Sequence, residues 1–254
     1  MRAVVTFHSI DDSGSPISVR LEEFDRHVAW LASGRVRPRS VSGILTAEDD
    51  AEDAVAVTFD DGYENFRTHA WPRLREAGIP VTLAVVSGYA GRRNDWEAPG
   101  TRAVPRIPLL DWDTLASLVE DGVEIAAHGR THRPLPSLED AELEEELARS
   151  AEEIQARTGA RPSGFVYPYG WVDARCPEAA SRHYEWACTT EARVLRAREH
   201  RFLIPRLDAV HYRRPGRLEA WGSPAFRTHL ALRRLARSAG SSVRRVSARR
   251  MVRR

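Results

Sequence analysis

The chain contains no lysine; all 38 of its basic residues are arginine. So complete an absence reflects base composition of the coding sequence rather than chemistry at a site. Cysteine is almost as scarce. Two thiols, Cys176 and Cys188, in 254 residues argue against a disulfide framework and agree with a reducing compartment. No apolar run approaches the ~20 residues that a membrane-spanning helix needs. The opening Met1-Arg2-Ala3-Val4-Val5-Thr6-Phe7 is too short and too strand-like for a secretory leader, so the expected location is the cytoplasm. Neither an internal repeat nor a second domain is evident. With 42% hydrophobic residues, the chain can build one sizeable core.

The C-terminal end lacks one sign of charge. From Arg233 to Arg254 arginines recur without an acidic residue, although the whole chain balances to +2. We read residues 1–232 as one folded domain and 233–254 as an Arg-rich tail, jointed at Gly240-Ser241-Ser242. Such a tail suits peripheral contact with an anionic membrane, where each cation contributes on the order of 1 kcal/mol. The alternative is a merely solvated tail. No aromatic residues interleave with those arginines, which argues against nucleic-acid binding.

What is present is an alternation of strands and helices, the pattern of βα units around a parallel sheet. Apolar runs predict seven strands, near 4–7, 54–59, 80–86, 123–127, 164–167, 185–189 and 202–208. Ser18 is the expected cap of a helix carrying Leu21, Phe24, Val28 and Leu31. Residues 64–77 read as a helix kinked at Pro72. Ser137 is the expected cap of a long helix whose Leu143, Leu147 and Ile154 share a face, closed by Gly159. Residues 92–107 read as a loop at the strand-end mouth.

Three strand ends carry the chemistry. Thr58-Phe59-Asp60-Asp61-Gly62-Tyr63 sets two adjacent carboxylates after a buried run. Neighbouring side chains on a strand point opposite ways, so a turn must bring both to one site. The pair then suits a division of labour in which one carboxylate holds a metal and the other accepts a proton from water. His128-Gly129-Arg130-Thr131-His132 follows a second run and, read as a helical turn, aims two imidazoles one way. One carboxylate with two imidazoles is a common ligand set for a catalytic metal. Gly164-Phe165-Val166-Tyr167-Pro168-Tyr169-Gly170 ends in a fixed loop whose backbone N–H groups could face an oxyanion.

In this order the three motifs resemble those of the polysaccharide deacetylase family, the NodB-homology domain of carbohydrate esterases. The opening Thr6-Phe7-His8-Ser9-Ile10 is similar as well, and the resemblance runs to about Leu207. It implies a distorted (β/α) barrel of about seven parallel strands and removal of an N-acetyl group from an amino sugar in a glycan or glycan precursor. It implies Asp60 as catalytic base, Asp61, His128 and His132 as ligands of a divalent metal, zinc above all, and the Tyr169 N–H as an oxyanion donor. A small non-sugar amide or imide as substrate, and a non-catalytic carbohydrate-binding relative, are the alternatives. Retention of Asp60, Asp61, His128 and His132 together argues against the binder.

The departures are informative. Val166 stands where the family commonly has an arginine that braces the base, and the segment Leu203-Ile204-Pro205-Arg206 ends in Arg where a histidine is expected. Members with a Tyr-Pro-Tyr-Gly third motif often carry Pro-Arg-Leu on the last strand, so Arg206 is the expected brace for Asp60. The general acid then falls to His211, four residues beyond Leu207, or to His8 of the first strand, which can also touch substrate. Trp96 in the mouth loop and Trp171 beside the third motif are the expected sugar contacts. Trp112 belongs with Leu109, Leu110, Leu115 and Leu118 to a packed helix start.

Overall fold

The computed structural model describes residues 1–47, 52–96 and 104–235. Seven parallel strands form the core: β1 (Arg2–Phe7), β2 (Ala54–Phe59), β3 (Thr82–Val85), β4 (Glu124–Ala127), β5 (Gly164–Val166), β6 (Trp186–Cys188) and β7 (Arg206–Asp208). Their order around the sheet is β7-β1-β2-β3-β4-β5-β6. A parallel bridge between Cys188 and Ile204 nearly closes the barrel between β6 and β7. The lower half of β2 also pairs with Arg37–Arg39, while its upper half pairs with β3.

Both faces of β1 and β2 are buried, as in a strand covered inside and out. Period-two alternation assigns one set of residues to the lumen. There Val4, Ala56, Ala84, Ala126, Val166 and Cys188 pack with Trp186 and Ile204. These residues are mostly small because two large side chains, Trp186 and Arg206, fill the lumen. Gly164 shows the constraint: a Cβ there would lie 2.1 Å from the Trp186 ring. The bottom is plugged by Val41 and Ile44 of α2 (Val41–Thr46), which join the luminal cluster.

Outside the barrel, Phe7 and Phe59 stack with ring centroids 5.1 Å apart. Phe24 of α1 (Leu21–Ala32) and Phe66 meet them edge-on. Such pairs contribute about 0.5–1.5 kcal/mol each beyond area burial, and they anchor the top of the two strands that carry the chemistry. The remaining layer is α3 (Trp71–Glu76), α4 (Trp112–Glu120), α5 (Asp140–Thr158) and α6 (Arg175–Ser181), followed by a helix over residues 224–235.

Two expected helix caps are corrected. Ser18 does not cap α1: it lies in a short strand paired with Ser9–Ile10, its hydroxyl donating to Asp11, and Glu23 accepts the Arg20 N–H instead. Ser137 is spent in a 3-10 turn; α5 opens at Asp140 with Glu142 accepting the Glu139 N–H. Its C-terminal closure on Gly159, at φ 74°, is as expected. The stretch over 64–77 is helical as expected, running from 64 to 76, and its irregularity takes the form of a π turn, Phe66–Ala70, immediately before α3 and Pro72.

No helix among the described residues is long and apolar enough to cross a membrane. The expected Arg-rich tail lies outside the described residues beyond Leu235, as does the middle of the 92–107 loop.

Candidate active site

Asp60 continues the luminal phase of Ala56 and Thr58, one residue past β2, and its N–H donates to Phe7 O at 2.9 Å. It is buried, and Arg206 meets it from across the barrel with both arms of its guanidinium. Nη1 donates to Oδ1 at 2.7 Å and Nη2 to Oδ2 at 2.8 Å. Nη1 also donates to Thr6 Oγ1 and Thr58 Oγ1, and Nε to the Thr189 carbonyl. One side chain thus ties β7 to β1, β2 and the exit of β6, across the seam where the barrel is least paired. Burial pushes the Asp60 carboxyl up, but the charge and bonds of Arg206 together with the His8 and His128 rings outweigh it and hold the group below the usual carboxylate range.

Asp61 would point out of the barrel if the strand continued. Instead it adopts φ 72° and Gly62 follows at 75°, a left-handed step that swings the carboxylate inward. Asp61 Oδ1 lies 3.3 Å from His128 Nε2 and 3.3 Å from His132 Nε2, and the two Nε2 atoms are 3.2 Å apart. These three donor atoms make a nearly equilateral triangle. A tetrahedral cation with ligand bonds of about 2.0–2.1 Å separates its ligands by about 3.3 Å. Asp61 Oδ1 is moreover buried without a hydrogen-bond partner, a costly condition unless something else meets it. The residues present therefore fit a divalent metal ion.

The histidines converge differently from expectation. Residues 128–132 form a loop, not a helical turn, with Gly129 at φ 78° and His132 at φ 59°. Glu146 of α5 organises that loop. Its Oε1 accepts the Arg130 and Thr131 N–H groups at 2.7 and 2.6 Å, and its Oε2 the Thr131 hydroxyl at 2.9 Å. Both ring Nδ1 atoms are tied, so both Nε2 atoms face Asp61. His128 Nδ1 donates to Val166 O at 2.6 Å, and His132 Nδ1 lies 2.9 Å from the Tyr169 hydroxyl. Burial lowers both imidazoles; for His128 the adjacent Asp61 and Asp60 carboxylates together reverse the shift, while His132 stays lowered and favours the neutral form that ligates metal.

Sequence reasoning overlooked Glu146 and the side chain of Tyr169. It also overlooked Tyr63, whose buried phenol is pushed up by burial and the neighbouring Asp61 and accepts from Asn94. A signal for Glu146 existed: it shares the inward stripe of α5 with Leu143, Leu147 and Ile154.

The other expected residues divide. His8 Nε2 lies 3.7 Å from Asp60 Oδ2 at the luminal mouth. His211 is carried by a 3-10 turn, Ala209–His211, toward the C-terminal helix, where its Nε2 meets the Arg233 guanidinium. The ring facing Asp60 is thus that of His8, and this corrects the expectation for His211. Trp96 lies against His132, ring centroids 4.4 Å apart, and edge-on to Tyr89. Trp171 tilts against Tyr169 at 5.7 Å. Tyr169 itself is left-handed at φ 60°; the bonds that fix its loop, Gly170 N to Tyr167 O and Trp171 N to Pro168 O, do not use its N–H.

The family model for polysaccharide deacetylases matches residues 47–184, more than half of the chain, and the protein belongs to that family. The Bacillus subtilis protein YxkH is 25% identical over 193 residues, covering 74% of this chain and 64% of that protein. The poly-beta-1,6-N-acetyl-D-glucosamine N-deacetylase of Escherichia coli is 28% identical over 133 residues, 49% of this chain and 20% of that enzyme. The chain thus spans less than two thirds of the length of either. Among solved structures, IcaB from Ammonifex degensii shares the fold at a TM-score of 0.73 and 22% identity, over 89% of this chain and 97% of that one. The Streptococcus pyogenes deacetylase PplD does so at 0.70 and 17%, over 81% and 91%.

Proposed function

We propose that this protein is a metal-dependent hydrolase that removes the acetyl group from an N-acetylated amino sugar of a glycan or glycan precursor. The observation that carries the reading is the triangle of Asp61 Oδ1, His128 Nε2 and His132 Nε2, 3.2–3.3 Å on each edge, beside a second carboxylate held ionised by Arg206. Those three atoms would hold a divalent ion, zinc before others, which when bound polarises the acyl oxygen and lowers the pKa of water. Asp60 accepts the proton of the attacking water, and the two-armed bond from Arg206 keeps it ionised and aimed. The Tyr169 N–H donates to the developing oxyanion. His8, facing Asp60 across 3.7 Å, gives a proton to the departing amine.

The aromatic faces of Trp96 and Trp171 on either side of the His132–Tyr169 pair support a sugar over a small imide, because pyranose C–H faces stack on such rings. The E. coli relative is named for deacetylating poly-N-acetylglucosamine, which supports a polymeric substrate. The test is acetate release from N-acetylglucosamine oligomers by protein stripped of metal and then reloaded with zinc. Activity that returns with zinc and is absent in His128→Ala is expected. Equal acetate release by the stripped protein would end the metal-dependent reading.

A further inference from the structure

We propose that the Tyr169 hydroxyl is a positioning group for His132, accepting the Nδ1 proton and so holding the Nε2 lone pair toward Asp61 for a cation. The proposal rests on the reading of Asp61, His128 and His132 as metal ligands and assigns a residue that tunes them.

Three residues other than glycine, among those described, have positive φ: Asp61 at 72°, His132 at 59° and Tyr169 at 60°. They form one chain of contacts, Asp61 Oδ1 to His132 Nε2 at 3.3 Å and His132 Nδ1 to Tyr169 Oη at 2.9 Å. Each such backbone conformation costs on the order of 1–3 kcal/mol and persists only where the surroundings impose it. The strain is confined to the two groups that touch and the carboxylate they serve.

The third-motif loop is built to hold that phenol still. Gly170 follows at φ 68°, and a Cβ there would lie 1.9 Å from Thr190 Oγ1. The Thr190 hydroxyl in turn donates to Tyr169 O at 3.3 Å. The imidazole is held between Trp96 on one side and the Tyr169 ring on the other, with centroids at 4.4 and 4.7 Å. With the ring confined, the partner of Nδ1 decides which nitrogen carries the proton.

The two histidines differ in how they are secured. His128 donates to a backbone carbonyl, Val166 O, which no substitution removes. His132 relies on a single side-chain oxygen. Tyr169→Phe deletes that oxygen and keeps the ring and the strained backbone. Loss of such an outer partner typically weakens metal binding roughly 10–100-fold.

The experiment measures zinc affinity by competition with a chromophoric chelator, and the visible spectrum of the cobalt(II) form, for wild type, Tyr169→Phe and His132→Ala. Tyr169→Phe is expected to lose roughly 10–100-fold in zinc affinity and to change the cobalt spectrum, with metal-free thermal unfolding unchanged. If His132→Ala binds zinc as tightly as wild type, the ligand reading itself fails. If His132→Ala loses zinc while Tyr169→Phe matches wild type in affinity and spectrum, the ligand reading stands and the positioning role is overturned. Should Tyr169→Phe fail to fold, long-range proton–nitrogen NMR of the metal-free wild type decides, because there the surroundings of the ring and not a bound ion set the tautomer. A proton on His132 Nδ1 supports the proposal, and its absence from Nδ1 overturns it.

Discussion

Asp60 and Asp61 are adjacent in sequence, both buried, and treated in opposite ways by the fold. Asp60 sits in strand phase and is met by both arms of an arginine that also donates to Thr6, Thr58 and Thr189. Asp61 is turned out of strand phase at φ 72° and keeps a buried oxygen without a hydrogen bond. A buried charge is tolerated only where it is paired. For Asp60 the pair is within the chain; for Asp61 it consists of two imidazoles whose lone pairs leave room for a cation. Under the proposed function, the contrast separates the residue assigned as base from the residue assigned as ligand.

The largest expected effect comes from breaking the Asp61 side. Asp61→Asn removes the negative charge from one corner of the triangle, and zinc binding and acetate release should vanish together. A variant that retains stoichiometric zinc by elemental analysis would move the metal elsewhere. Breaking the Asp60 side should separate the two properties. Asp60→Asn should bind zinc as wild type does and lose about 10²–10⁴-fold in kcat, the usual contribution of a general base. Turnover within a few-fold of wild type would make Asp60 a structural anchor for Arg206.

Arg206→Leu leaves Asp60 buried and uncompensated, a condition that costs about 3–5 kcal/mol; chemical denaturation at neutral pH reads it. The sign with pH follows from the lowered carboxyl. A folded-state pKa below the unfolded value of about 3.9 stabilises fully above that value and is lost as pH falls through the folded pKa. The gap between wild type and Arg206→Leu should therefore be widest near neutrality and narrow in acid. A gap that is constant down to acid unfolding would mean that the ion pair contributes nothing specific.

How much of this was legible in the sequence depends on how local each signal is. The seven strands and the convergence of Asp60, Asp61, His128 and His132 were readable, since strand ends of a parallel barrel share one mouth and each motif follows an apolar run. The Arg206–Asp60 contact was expected from the Pro-Arg-Leu segment, although 146 residues separate the partners. The approach of the two histidines was foreseen through the wrong geometry, because a left-handed loop braced from α5 does what a helical turn was expected to do. Ser18 and Ser137 misled because other nearby acceptors, the Asp11 carboxylate and the Pro134 carbonyl, took their hydroxyls. His211 misled because the course of the chain after β7 is set by packing that no local pattern records.

Glu146 offers the finest test of how the ligand side is held. Its Oε1 accepts two loop N–H groups and its Oε2 a hydroxyl, so an amide can imitate most of the arrangement. In Glu146→Gln the carbonyl oxygen can keep Arg130 and Thr131 N–H, while the NH2 faces a Thr131 hydroxyl that can rotate to accept. What is lost is charge assistance, because bonds to an ionised acceptor contribute about 1.5–3 kcal/mol against about 0.5–1.5 for a neutral one. The expected cost is therefore about 1 kcal/mol in stability, with zinc affinity reduced less than by Tyr169→Phe. Gly129 limits any relaxation, since even a Cβ at that position would lie 2.8 Å from Glu146 Oε1. A larger loss of zinc affinity in Glu146→Gln than in Tyr169→Phe would show that loop conformation, rather than the tautomer of His132, governs the ligand triangle.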